Sequence, residues 1–219
     1  MIVPNNSRSA NKTKISLINV NSFKDCSDDR TSELSSLFNK QKSHIYIISE
    51  TKLIEETAIK FNPNYLRKLW EHSVTNNEDA GAGIFIAYDP LLGKCDRLDT
   101  LPGIQNRTIA VRFTPPNADA FIIMGAYAPA SGSAALKQIF INKVFETRSN
   151  LQNQFNCNVI VGGDFNSTIG HLERYMHDYE NTTFKPDTIA KSISNHLLNC
   201  KYSYTLLNTL SGNIQAGNI

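Results

Sequence analysis

No apolar run in the 219 residues approaches the roughly 18 needed to cross a bilayer. The opening stretch, MIVPNNSRSANKTK, lacks the apolar core of roughly 7–15 residues that a secretory signal requires, so an intracellular protein without a membrane partner is expected. Cysteine is scarce. The four (Cys26, Cys95, Cys157 and Cys200) form no CxxC pair and are scattered too widely for a zinc knuckle. With a core of this size and no secretory context, reduced thiols in or near the core are expected. Neither sign of charge dominates: 22 basic side chains face 20 acidic ones, which excludes a generic polyanion-binding tail. Low-complexity tracts, solenoid repeats and clear linkers are missing too, so one domain is expected.

What is present supports a real core. Hydrophobic residues make up 41% of the chain, too many for a wholly disordered polypeptide. Arg8, Lys12 and Lys14 give the first residues positive charge without an acid. Residues 1–13 are read as a mobile basic leader and 14–219 as the folded domain.

Hydrophobic patterning then divides the chain into elements. Lys14–Val20 (KISLINV) predicts a strand, 29–42 a helix with Leu34, Leu37 and Phe38 on one face, and His44–Ser49 (HIYIIS) a strand buried on both sides. Strand, helix, strand is a crossover unit. The middle reads as strands without helices between them: Gly83–Tyr88, Thr108–Phe113 and Phe121–Tyr127, with Pro115-Pro116-Asn117 as a hairpin connection. Gly81-Ala82-Gly83 precedes a strand rather than opening a helix, so it is not a phosphate loop. The first pattern then recurs. Ser133–Asn153 predicts a helix with Leu136, Ile139, Phe140, Val144 and Leu151 inward, Asn158–Gly162 a buried strand, and Asp187–Asn199 a further helix. His44 and His72 are read as ordinary, the first opening a strand and the second in a polar stretch. Antiparallel ribbons combined with two crossover units argue for an α+β fold with two mixed sheets face to face and helices outside.

Polar side chains stand at the ends of these apolar strands. Asn19 and Asn21 close the first, Glu50 the second, and Asp164 with Asn166 the late one; Tyr127 ends its strand before Ala128-Pro129. Taken singly, a strand-terminal Asp or Asn is more often a turn former. Two carboxylates from different strands with amides nearby suit a hard, oxygen-seeking cation such as Mg²⁺.

The ordered strings INVN, SETK, AYAP and GGDFN resemble the endonuclease/exonuclease/phosphatase superfamily, whose fold is that of deoxyribonuclease I. Their wording is most similar to the apurinic-endonuclease-like domains of non-LTR (LINE-type) retrotransposons. The resemblance spans about Lys14 to the C-terminus and implies a four-layer α/β/β/α sandwich. It also implies a Mg²⁺-dependent endonuclease, with Mn²⁺ as a substitute, that nicks duplex DNA. Carried over, Glu50 is the principal metal ligand with Asn19 beside it, Asp164 orients or deprotonates the attacking water, and Asn166 and Tyr127 hold the phosphate. Arg107 and Asn21 are secondary contacts to phosphate or nucleic acid. A reverse transcriptase domain downstream and nuclear action are family expectations.

The family pattern continues with a Ser-Arg-Ile-Asp string and a Ser-Asp-His string, and neither occurs among the 219 residues. Ser194-Asn195-His196 falls within a helical pattern and is read as helix surface, and His171 and His177 lie in a polar stretch past the GDFN string. The expectation is therefore a C-terminally truncated copy, missing its last strands and impaired in turnover. Two alternatives stand beside the DNA endonuclease: a non-catalytic remnant or binding protein of the same fold, and a phosphoinositide or sphingolipid phosphodiesterase.

Overall fold

The computed structural model describes residues 13–22, 36, 40, 42–53, 69–73 and 83–166, with 69–73 as backbone only. Strand β1 (Ile15–Asn19), β2 (Ile45–Ser49), β3 (Leu69–Ser73) and β4 (Ile84–Tyr88) form one sheet in the order β1-β2-β4-β3. Strands β5 (Lys94–Leu98), β6 (Thr108–Thr114), β7 (Phe121–Tyr127) and β8 (Asn158–Asp164) form a second in the order β5-β6-β7-β8. Each sheet mixes pairings: β1 with β2 and β7 with β8 are parallel, and the other neighbours antiparallel. Both parallel pairs are the predicted crossover units.

The strands follow from their side chains. In β2 and β4, isoleucine-rich runs have all five residues buried, as strands covered on both faces require. β7 shows the period of two directly. Phe121, Ile123 and Tyr127 pack between the sheets with Ile47, Ile84, Ile86, Ile109 and Phe113. Ile122, Met124 and Ala126 face the other way, onto helix α1 (Ala134–Phe155), against Phe140, Ile141, Val144 and Leu151. Tyr46, Ile48, Phe85 and Ala87 of the first sheet are equally buried.

Two glycines let the sheets approach. Gly125 and Gly162 are cross-strand partners in β7 and β8. A Cβ on Gly125 would stand 2.8 Å from Ile84 Cδ1, and one on Gly162 would stand 2.8 Å from Leu17 Cδ2 and 2.9 Å from Ile47 Cδ1. Side chains of the first sheet thus fill a depression in the second, two residues below the ends of β7 and β8.

The structure corrects several expectations. β3 and β5 are strands that hydrophobic patterning does not reveal, and the polar stretch holding His72 is β3, with His72 paired to Phe85. In α1, Leu136 and Ile139 are 60% and 53% exposed rather than inward. Ile139 lies about 200° around the helix from the buried Ile141. Leu136 sits in the first turn, where its Cδ1 approaches Gly132 rather than the sheet. The helix also runs two residues past the expected end, to Phe155, and Asn156 closes it with φ 46° and ψ 45°. Of the helix expected over 29–42, Ser36 and Lys40 are described and helical, whereas Lys42, also described, lies outside the helix with φ 47°. Cys95 and Cys157 are free and half-buried, as expected. The leader up to residue 12, Cys26 and Cys200, His171 and His177, the helix over 187–199 and Ser194-Asn195-His196 lie outside the described residues.

Candidate active site at the strand ends

The two parallel pairs deliver four strand ends to one rim. Asn19 of β1 is register partner to Ser49 of β2, one residue before Glu50, and Tyr127 of β7 is partner to Asp164 of β8. The sheets are joined there by Asn19 Nδ2, which donates to Asp164 Oδ2 at 2.8 Å across 145 residues of sequence. The same carboxylate accepts the Asn166 N–H on Oδ1 at 2.8 Å, so both oxygens of Asp164 are held. Asn19 also organises its own turn, its Oδ1 accepting the Asn21 N–H at 2.9 Å.

The segments after β7 and β8 are stitched together. Ala128 N–H donates to the Asp164 carbonyl at 2.8 Å, and Asn166 Nδ2 donates to the Ala128 carbonyl at 2.6 Å. The Asn166 side chain also hydrogen-bonds the Tyr127 phenol. Tyr127 is nearly fully buried, its N–H donates to the Arg107 carbonyl at 2.8 Å, and the Arg107 guanidinium lies 5.6 Å from its ring centroid. Burial, and then the negative charge of Glu50 and Asp164, push the phenol above its usual 10.0, outweighing the opposite pull of Asn166 and Arg107. Tyr127 therefore remains a neutral hydrogen-bond donor through the physiological range.

Backbone strain gathers at the same rim. Asn21, Glu50, Lys52 and Asn166 have φ of 54°, 58°, 54° and 46°. Asparagine tolerates this left-handed region, but glutamate and lysine rarely adopt it, and such residues concentrate where function over-determines the backbone. Between Glu50 and Lys52, Thr51 is fully buried and its N–H donates to the Gly83 carbonyl at 3.2 Å. Gly83 thus serves close packing, since a Cβ there would strike Thr51 Oγ1.

All seven predicted residues, Asn19, Asn21, Glu50, Arg107, Tyr127, Asp164 and Asn166, lie on this rim. Lys52 was not singled out, although it follows Glu50 in the SETK string: its Nζ is 3.2 Å from Glu50 Oε1 and donates to Asn21 Oδ1 at 3.0 Å. Farther along the rim, at the ends of β5 and β6, Arg97, Asp99, Thr100, Gln105 and Thr108 line a polar cleft of about 190 Å³. Among the described residues no three His, Cys, Asp or Glu side chains cluster, so a zinc-type cage is not formed there. The donor set is instead one half-buried carboxylate with amide oxygens beside it. That set fits Mg²⁺, which takes one or two carboxylates and keeps much of its water.

This architecture recurs in solved structures. An AP endonuclease (LMAP) from Leishmania major superposes with a TM-score of 0.67 at 16% identity, over 84% of this chain and 66% of that one. The chain has the endonuclease/exonuclease/phosphatase fold. An AP endonuclease from Archaeoglobus fulgidus has the same fold, with a TM-score of 0.59, 18% identity, and coverage of 85% of this chain and 70% of that one. The endonuclease domain of TRAS1, a telomere-specific non-LTR retrotransposon, follows with 0.54, 13%, 85% and 71%. The chain thus spans about two thirds of the length of these proteins. No protein-family model matches the sequence, and no curated protein matches it. Within this deoxyribonuclease-I-like fold, the two sheets and α1 supply three of the four layers from described residues. No described helix is long and apolar enough to cross a membrane.

Proposed function

We propose that this chain is a Mg²⁺-dependent phosphodiesterase domain that nicks DNA and derives from a non-LTR retrotransposon. The observation that carries the reading is the bond from Asn19 to Asp164, which brings carboxylates and amides from both sheets onto one rim. The AP endonucleases and the retrotransposon endonuclease that share its fold support DNA as the substrate class.

Glu50, with Asn19 beside it, would hold the cation, which when bound supplies positive charge to a phosphate that grows more negative in the transition state. The remaining steps belong to protein groups. Asp164, fixed at both oxygens, orients the attacking water and takes its proton. Tyr127 donates its O–H to a phosphate oxygen as charge develops, and Asn166, bonded to the Ala128 carbonyl and the Tyr127 phenol, holds that hydroxyl in place. Arg107 and the polar cleft at Arg97, Thr100 and Gln105 extend the rim along which a DNA backbone would run. Because the 219 residues contain no Ser-Asp-His string, no histidine is assigned to polarise the phosphate, and turnover by this stretch alone is expected to be slow. Association with reverse transcriptase and action in the nucleus belong to the same retrotransposon reading.

Incubation with supercoiled plasmid tests this. Slow conversion to nicked circles is expected with Mg²⁺ or Mn²⁺, lost with EDTA and in Glu50→Gln and Asp164→Asn. Nicking that survives in both variants, or turnover confined to phosphoinositide or sphingolipid substrates, would refute it.

A further inference from the structure

Lys52 has no part in the chemistry above, yet the fold holds it firmly. Its Nζ stands 3.2 Å from Glu50 Oε1 and donates to Asn21 Oδ1 at 3.0 Å, with the two charged side chains only 29% and 20% exposed. Ordinary surface ion pairs form between side chains free to wander. Here both partners sit on left-handed backbone, at φ 54° and 58°, on either side of the buried Thr51. The chain accepts strain twice within three residues and thereby fixes an ammonium against the carboxylate. An ammonium is a compact, strongly hydrated point charge, as a divalent cation is. Asp164, the other carboxylate on the rim, accepts one hydrogen bond on each oxygen, from Asn19 and Asn166, and Glu50 has Lys52.

Resting on the reading that Glu50 takes a divalent cation, we propose that Lys52 is a positioning residue whose ammonium holds the Glu50 carboxylate in the cation-free protein and is exchanged for the cation on binding. The bond to Asn21 lets Lys52 release Glu50 without leaving the rim.

Mn²⁺ titration followed by electron paramagnetic resonance measures the exchange without turnover. Lys52→Met is expected to bind Mn²⁺ about two- to fivefold tighter than wild type, the range a half-exposed ion pair spans. Lys52→Arg, which keeps the charge, should bind like wild type, and Glu50→Gln should lose the site. Reductive methylation of the wild-type chain, mapped by mass spectrometry, provides a second readout that needs no variant. Lys52 should label faster with Mn²⁺ than without, while Lys94, paired with Asp96 at 2.8 Å, serves as the control. Glu50-dependent Mn²⁺ binding with unchanged Lys52 labelling, or an equal gain in Lys52→Arg and Lys52→Met, overturns the exchange alone. No Mn²⁺ binding in any variant overturns both the exchange and the metal reading beneath it.

Discussion

Gly163→Ala should be among the most damaging single-methyl additions in this molecule. Gly163 is register partner to Ala126 in the β7–β8 pair and has φ 147°, a backbone conformation that side chains disfavour. A Cβ there would collide with the Ala126 carbonyl oxygen and lie 2.8 and 2.9 Å from Ala126 C and N, all backbone atoms of the neighbouring strand. The strained conformation costs about 1–3 kcal/mol. Prising β7 from β8 at this level also forfeits the bond from Ala128 N–H to the Asp164 carbonyl, worth about 0.5–1.5 kcal/mol. A loss of about 2–4 kcal/mol is expected. At roughly 2–4 °C per kcal/mol for a domain of this size, Tm should fall by about 4–16 °C. Gly125→Ala is the control: its Cβ meets only isoleucine methyls, at 2.8–3.2 Å, which can yield by rotation. Urea unfolding followed by far-ultraviolet circular dichroism, with m-values compared, measures both. Gly163→Ala within about 0.5 kcal/mol of wild type, or less damaging than Gly125→Ala, would show the reasoning to be wrong.

Other perturbations follow from the same geometry. Asn19→Ala removes the cross-sheet donor to Asp164 and the acceptor for the Asn21 N–H. On this exposed rim the stability cost should be about 1 kcal/mol by urea titration, while nicking falls by at least about tenfold as Asp164 loses its orientation. Asn156→Gly should stabilise the chain by about 0.5 kcal/mol, because glycine takes the left-handed helix cap without a Cβ penalty; an unchanged Tm would count against this. For Tyr127 the sign is fixed by the upward shift. The unfolded chain releases this phenolic proton at about the usual 10.0, before the folded one does, so the neutral phenol's contribution is complete below that pH and is lost as pH rises toward the folded value. Alkaline unfolding should therefore be less steep in Tyr127→Phe than in wild type, and identical profiles would refute it.

Much of the scaffold was legible because it rests on local periodicity. The buried runs of β2, β4, β6 and β7, and helix α1, announce themselves in consecutive residues. The polar strand-terminal residues were legible as well, since each breaks an apolar run at a definable point. β3 and β5 were not. KCDRL has no apolar alternation and becomes a strand only because β6 offers it an edge. The inward face of α1 was legible for Phe140, Val144 and Leu151 but not for Leu136, which sits in the first turn clear of the sheet, or for Ile139, which lies about 200° around the helix from the buried Ile141.

The site divides along the same line. Which polar groups end which strands, and in what order, is readable from the residues alone, because hydrophobic runs and their interruptions are properties of chain neighbours. The packing of the two sheets brings Asn19 to Asp164 across 145 residues, a contact that exists because Gly125 and Gly162 leave room for Leu17, Ile47 and Ile84 to close the sandwich beneath it. The folded backbone alone places Lys52 on Glu50, because that contact depends on two left-handed residues around a buried threonine, and no spacing rule encodes a backbone held under strain by its surroundings.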